Sequence, residues 1–526
     1  MLFADGRWKI LGRKVIEIGR RFVPLVPLVV LFIVTEFRGI DFGEQRDELD
    51  GQINPVRDMV NTGLLLPRAA IYPAFSRWLV LLPAVFRGLV KALAVGPRPL
   101  VIHAAMQQVV AAPEYVLAAR RSFVVVSALA LVWVYAAALV LGRRSWEALI
   151  AAATLGLSWE YAYHARWVAP DAVAVQFCAL ALALLLAFLR FGRVNLLYAA
   201  AIGAGLATGT SFVALPLLFA VIVCGASKLS PYRWRAQLGR AMAVFGTAVS
   251  AFVLTTPASV LEPFKFVQVF SPLSPAHVTS HHASVPGWDE LRTLSVYFAT
   301  SYFSPYRVVS MLLAFGVVGG AVALLRQNRR FGALLVGFPL LYVSLLCFLG
   351  SAATIGNGLL LAPFFALLLA WGIGALVDAL PRVVFRALVF AGLGGVAVVN
   401  GAFLVSAAES IRHRDIEAAV GDALAYARGQ PSSSFGLSPR VRSIASERKL
   451  ELPRLRSVER ADRVVFVVPA EGPDAAAWPP NDPSSVERVF GPRDVNLTWY
   501  PTWTGSEHSV VMTRSRAHAL RVPFLR

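Results

Sequence analysis

Four carboxylates, Glu44, Asp47, Glu48 and Asp50, crowd into one short stretch just after the first strongly apolar run. Carboxylates held that close repel, so one of them is expected to keep a proton or to take a cation, which suits such a group to general-base work. A second charged segment, His164-Ala-Arg166-Trp-Val-Ala-Pro-Asp171, lies between two later apolar runs. A guanidinium at the edge of hydrocarbon faces a cavity or a phosphate; Glu160 is its other candidate partner. Asp171, next to Pro170, is read either as a cap of the helix that starts there or as a site residue. A third set gathers Lys265, His277, His281, His282, Asp289, Glu290 and Arg292. Adjacent imidazoles point apart and the zinc spacings are absent, so His281 and His282 read less as metal ligands than as phosphate or sugar contacts, or as plain loop. Tyr72, Tyr161, Tyr163, Trp167 and Tyr302 accompany these charges, as stacking faces for sugar rings or as an interfacial aromatic belt.

The elements that must position these residues are apolar. The chain has 526 residues, 57% hydrophobic and 15% charged, with a mean hydropathy of +0.62. A soluble domain is about half apolar and a quarter charged. The excess is gathered into blocks of spanning length, at 22–36, 122–141, 146–164, 171–190, 194–210, 211–227, 237–256, 306–325, 331–349, 358–377 and 383–407. That gives about eleven transmembrane helices and excludes a soluble enzyme, a disordered chain and a disulfide-rich module. Cys178, Cys224 and Cys347 all fall inside these blocks and read as small buried side chains. The first block has no small-residue cleavage site behind it and reads as a retained span.

The net charge of +19 comes from basic clusters in alternate short loops. Arg13, Lys14, Arg20 and Arg21 precede the first block; Arg143 and Arg144, Arg190 and Arg193, Lys228 to Arg235, Arg326 to Arg330, and Arg382 with Arg386 follow later ones. On the positive-inside rule they share the cytoplasmic side, which puts the N-terminus inside and the C-terminal segment outside. The stretch Arg7 to Phe22, basic with interleaved apolar residues, reads either as a segment lying on the inner leaflet or as a simple disordered basic leader. All eight histidines and the 44–50 carboxylates then fall on the outer side. The first outer loop is 37–121; its segment 74–95, interrupted by Arg77, Arg87 and Lys91, is expected to lie in the outer interface. The second outer loop is 257–305. The core is thus 1–408, and 409–526 is expected to form a small soluble α/β domain, with a helix near 415–428 and strands near 464–468, 495–500 and 509–513.

In the order of these features the chain resembles the GT-C class of membrane glycosyltransferases, of the protein-mannosyltransferase and aminoarabinose-transferase type. The resemblance rests on the first span with its Asp47-Glu48 pair, on Met59-Val-Asn-Thr-Gly63-Leu-Leu-Leu-Pro67 with Ala70-Ile-Tyr72-Pro73, and on a second span entered through Arg120-Arg121 and left through Leu141-Gly142-Arg143-Arg144. His164 to Asp171 and Gly203-Ala-Gly205-Leu-Ala complete it. The chain departs from the family at Thr208-Gly-Thr210-Ser211, where a basic residue is common, and at Asn357 to Pro363, where an arginine is. The resemblance implies a polytopic α-helical fold in a bacterial inner membrane and an inverting transfer of sugar from a polyprenyl-phosphate donor to an extracytoplasmic glycan, lipid or protein. In that reading Asp47 is the general base, Glu48 orients the acceptor and Asp50 is the reserve base. Arg166, with His164 or with His281, His282 and Arg292 of the second loop, meets the leaving phosphate; Asp171 positions Arg166 or a sugar hydroxyl, and Tyr72 adds a sugar contact. No cofactor is implied with certainty, a divalent metal stays open, and no nucleic acid is expected. The rival readings are a polytopic transporter or lipid flippase, and a scaffold whose work is done by the 409–526 segment.

Overall fold

Most of the long apolar blocks fold as helices in the computed structural model. It describes residues 19–41, 48–63, 73–96, 98–112, 114–227, 234–264, 287–349, 355–412, 416–430, 433–438, 441–442, 445–446, 450–456, 461–469, 486–490 and 508–513. Two compact units divide the chain, one of 1–37 with 46–404, the other of 38–45 with 405–526.

The first unit contains α1 (Val26–Phe37), α2 (Asn54–Thr62), α3 (Phe75–Val95), α4 (Pro99–Ala111), α5 (Glu114–Val140), α6 (Ser145–Gly156), α7 (Trp159–Arg166), α8 (Pro170–Phe191), α9 (Val194–Thr210), α10 (Pro216–Ser227), α11 (Trp234–Thr255), α12 (Trp288–Thr300), α13 (Arg307–Gln327), α14 (Arg329–Leu349) and α15 (Ala362–Ala379). Helix α16 (Val383–Arg412) begins in it. Eight helices among the described residues, not eleven, are long and apolar enough to cross a bilayer. The chain is a polytopic α-helical membrane protein on that count. The expected block 146–164 is not one rod. Helix α6 stops at Gly156, and α7 restarts at Ser158, whose hydroxyl accepts from the Tyr161 N–H, a serine N-cap of the usual kind. Blocks 194–210 and 211–227 give helices of 17 and 12 residues, short of the roughly 20 that a span needs. Block 22–36 contributes a regular α-helix of 12 residues.

The eighth long helix is α3, expected in the interface. Its Arg77 does not compete for water. The side chain is 1% exposed, and its Nε and Nη2 donate to the Gly51 carbonyl; by length and composition the 21-residue helix is apolar enough to cross. Around the centre, α8 and the 357–379 segment are the most enclosed, with 83% and 78% of their most apolar windows buried, against 11% for the window in α16. The Gly203–Gly205 motif serves close packing: a Cβ on Gly205 would lie 2.3 Å from the Ala248 carbonyl oxygen on α11, and one on Gly203 would lie 3.3 Å from Ala181 of α8. Ile355–Leu361 forms a 3₁₀ turn that feeds α15. It is fastened by the Tyr342 hydroxyl donating to the Asn357 carbonyl at 2.9 Å.

In the second unit α17 (Ile416–Arg428) turns Val420, Ala423, Leu424 and Ala427 to one face, where they are buried with Phe435 and Val465; that is the i, i+3, i+4, i+7 stripe of an amphipathic helix. Strands β1 (Phe435–Leu437), β2 (Arg463–Pro469), β3 (Val486–Phe490) and β4 (His508–Thr513) form one sheet ordered β1-β2-β4-β3. β1 and β2 run parallel; β4 runs antiparallel to β2 and β3, with Phe466 opposite Val511. The runs read as strands at 464–468 and 509–513 are strands, while 495–500 lies outside the described residues. Asp462 ties the start of β2 to β1, accepting from the Ser434 N–H at 2.8 Å and hydroxyl at 2.7 Å.

Candidate functional site

The acidic stretch becomes helical at Glu48, then makes a π-helical turn, Leu49–Ile53, that runs into α2. Glu48 is fully buried. Its Oε1 accepts from Arg120 Nε at 2.8 Å, its Oε2 from Arg120 Nη2 at 2.5 Å, and Oε1 also takes the Val168 backbone N–H at 3.0 Å. Arg120 sits in the N-terminal part of α5 and is 3% exposed. A two-pronged guanidinium–carboxylate contact is strong and directional, and both Glu48 oxygens are engaged. The turn is held from its other side by Arg77, and by the Ser76 hydroxyl donating to Gln52 Oε1 at 2.9 Å. Helix α3 is anchored in turn by the Trp78 indole N–H, which donates to the Thr255 carbonyl at 3.2 Å.

Val168 belongs to the 164–171 segment, so Glu48 joins the two charged stretches singled out in the sequence. The same segment makes a second buried ion pair. Arg166, the last residue of α7, is 2% exposed; its Nε donates to Glu36 Oε2 at 2.6 Å and its Nη2 to Oε1 at 3.4 Å. Glu36, fully buried near the end of α1, is therefore the partner of Arg166, in place of Glu160. A further Arg166 contact runs to the Leu404 carbonyl at 3.5 Å.

Helix α8 starts with Pro170 at its first position and Asp171 in its first turn, but Ala169 is the cap residue and no side chain caps it. The Asp171 carboxylate turns to His164 instead. His164 Nδ1 is 3.6 Å from Asp171 Oδ2, and Nε2 is 3.7 Å from Glu160 Oε2. Both distances exceed a hydrogen bond. The two ring nitrogens of His164, both carboxyl oxygens of Glu160, the Trp167 indole nitrogen and Gln176 Oε1 are buried without a hydrogen-bond partner among the described residues. Such groups are rare in folded proteins and mark a place where a ligand or water completes the bonding. Tyr302, between α12 and α13, adjoins them: burial and the Glu160 carboxyl push its phenol well above the usual range.

Asp47, Glu44, Tyr72, Lys265, His277, His281 and His282 lie outside the described residues, as does the basic leader up to residue 18. Asp50 is in the π-helical turn. Arg292 is exposed on α12 and makes no hydrogen bond or ion pair with the cluster. Among the described residues no group of three His, Cys, Asp or Glu side chains is arranged to hold a metal ion. Glu36 and Gln176 were not singled out in the sequence. The signal for Glu36 was present, as the lone charge of its apolar block.

No protein-family model matches the chain, and no curated protein does. Among solved structures the chain is similar to ArnT from Cupriavidus metallidurans in the apo state, at 16% identity and a TM-score of 0.46, over 94% of this chain and 98% of that one. It is similar to the same protein bound to undecaprenyl phosphate at 15% identity, with the same TM-score and coverage. Likeness of that degree leaves the function to be argued from the chain's own residues.

Proposed function

We propose that the chain is a GT-C-type inverting glycosyltransferase, which moves a sugar from a polyprenyl-phosphate donor to an acceptor on the extracytoplasmic side of the membrane. The observation that carries this reading is the buried junction of Glu48 with Arg120 and the Val168 N–H, beside the Glu36–Arg166 pair and the unpartnered His164–Glu160 cluster. It ties an acidic loop, a source of a base, to a segment carrying donors for a phosphate. With its oxygens occupied, Glu48 is the anchor of the loop that bears Asp47. Asp47 takes the proton from the acceptor hydroxyl, whose oxygen bonds to the anomeric carbon as the bond from that carbon to the phosphate oxygen breaks. The lipid phosphate leaves with the electron pair, toward the ring nitrogens of His164 and Trp167, which make no hydrogen bond among the described residues, with Arg166, itself paired to Glu36, beside them. Attack and departure on opposite faces invert the anomeric centre. Asp171 orients His164, and Asp50 is the reserve base.

The test is turnover of a panel of polyprenyl-phosphate sugars by the purified full chain. Transfer is expected with at least one donor, and Asp47→Asn is expected to slow it by about 10²–10⁴-fold, the usual worth of a general base. Near-normal turnover by Asp47→Asn overturns the base assignment. Uptake of a solute into proteoliposomes without any lipid-linked donor would replace the reading by a transporter.

A further inference from the structure

At the other end of the bundle from the Glu48–Arg120 junction, three chain reversals meet. Helix α5 runs from Arg120 to its end at Val140, and α8 runs from Asp171 to Arg190, a rise of about 30 Å at 1.5 Å per residue. The turn after α5, the end of α8, and the turn between α13 and α14 enclose a cleft of about 380 Å³. Its walls are Leu141, Leu189 and Phe331, and its polar lining is Arg190, Asn328 and Arg330, next to the backbone of Gly142. Among the described residues no carboxylate lines it. Two neighbouring arginines at this end are already engaged, Arg143 with Glu147 and over the Trp371 ring at 4.2 Å, and Arg144 with Asp378 at 2.8 Å. Arg190 donates to the carbonyl of Val140, which fixes its guanidinium over the C-terminal end of α5 without neutralising it. Arg330 is exposed and has no hydrogen bond or ion pair among the described residues.

We infer that this cleft is a binding site for the phosphate headgroup of an anionic glycerophospholipid, on the membrane face opposite the candidate active site. Two uncompensated guanidiniums on separate helix ends, an amide and an exposed turn suit a phosphate diester. Basic pockets between helices at a membrane edge take anionic headgroups for the same reason. Apolar surface continues from the cleft mouth: Phe191 is 57% exposed and Leu325 38% exposed. That gives acyl chains a wall to lie on, which a free phosphate would not need. The inference stands whether or not the transferase reading does, because it uses none of that site's residues.

The test titrates the detergent-purified full chain with dioleoyl phosphatidylglycerol and counts bound lipid by native mass spectrometry. Arg330→Gln alters an exposed side chain with no hydrogen bond or ion pair among the described residues; about fivefold weaker occupancy is expected, and about tenfold or more for Arg190→Gln with Arg330→Gln, given the worth of one basic residue near an anionic surface. Arg144→Gln, which removes a charge at the same end but outside the cleft, is expected to leave occupancy unchanged. Phosphatidylcholine and inorganic phosphate are expected not to compete at equal concentration. Wild-type occupancy in Arg330→Gln, an equal loss in Arg144→Gln, or full competition by inorganic phosphate would each overturn the inference.

Discussion

Glu48 and Arg120 lie 72 residues apart in sequence and are buried together as a pair. Removing one member of a buried pair leaves an uncompensated charge and costs about 3–5 kcal/mol. Glu48→Gln is therefore expected to lower the unfolding midpoint of the purified chain markedly. Glu451→Gln breaks an exposed pair with Arg428 in the second unit and is expected to change stability by less than about 1 kcal/mol. Equal effects of the two would contradict the burial assigned to Glu48. At Asp462 the backbone and hydroxyl donors of Ser434 hold the carboxyl below its usual range. A depressed folded-state value adds stability above the ordinary carboxyl range, near pH 3.9, and that stability is lost as the pH falls through the depressed value. Asp462→Asn is expected to weaken amide-exchange protection in β1 and β2 at neutral pH, with the gap from wild type closing on acidification; a gap that widened in acid would refute the clamp. Arg166 and Glu48 were legible in the sequence because a charge beside hydrocarbon is conspicuous. Their partners were less so, since no spacing rule links Glu36 to a residue 130 positions away.

Helices were read from hydrophobic run length, and that signal has two blind spots here. It does not see a cap inside an apolar run, so the sequence reads α6 and α7 as one span where Ser158 divides them. It counts every charge as a cost, so Arg77, Arg87 and Lys91 argue against α3 as a spanning helix, although Arg77 is buried with its N–H groups donating to the Gly51 carbonyl. The break at Ser158 matters for the site, because it turns α7 so that Glu160, His164 and Arg166 are all buried. The Gly203–Gly205 motif, part of the family resemblance, has as its physical content the approach of α9 to α8 and α11. Gly205→Val is expected to force those backbones apart and to cost about 1–3 kcal/mol, the usual price of overpacking, read as a lower unfolding midpoint. An unchanged midpoint would mean that α9 and α11 are not packed through this residue. The strands near 464–468 and 509–513 were legible from β-branched runs, and β1, only three residues long, was too short to leave a pattern.

Across the whole molecule, α5 and α8 carry two different chemistries at their two ends. The N-terminal end has buried carboxylates paired with guanidiniums and a histidine whose ring nitrogens make no hydrogen bond among the described residues; the C-terminal end has two arginines around a cleft with no ion pair among those residues. Polar groups cluster where each helix leaves the apolar zone, which is why composition alone separated the two ends but not the individual contacts. On the proposed function, the acidic stretch and the 164–171 segment share one pocket for a lipid-linked phosphate. Photocrosslinking with a polyprenyl phosphate bearing a diazirine beside the phosphate tests it most directly, with phosphatidylglycerol in excess to occupy the basic cleft. Adducts are expected in peptides covering 158–171 and 46–58. Adducts that spare both peptides and fall elsewhere on the chain would contradict the claim.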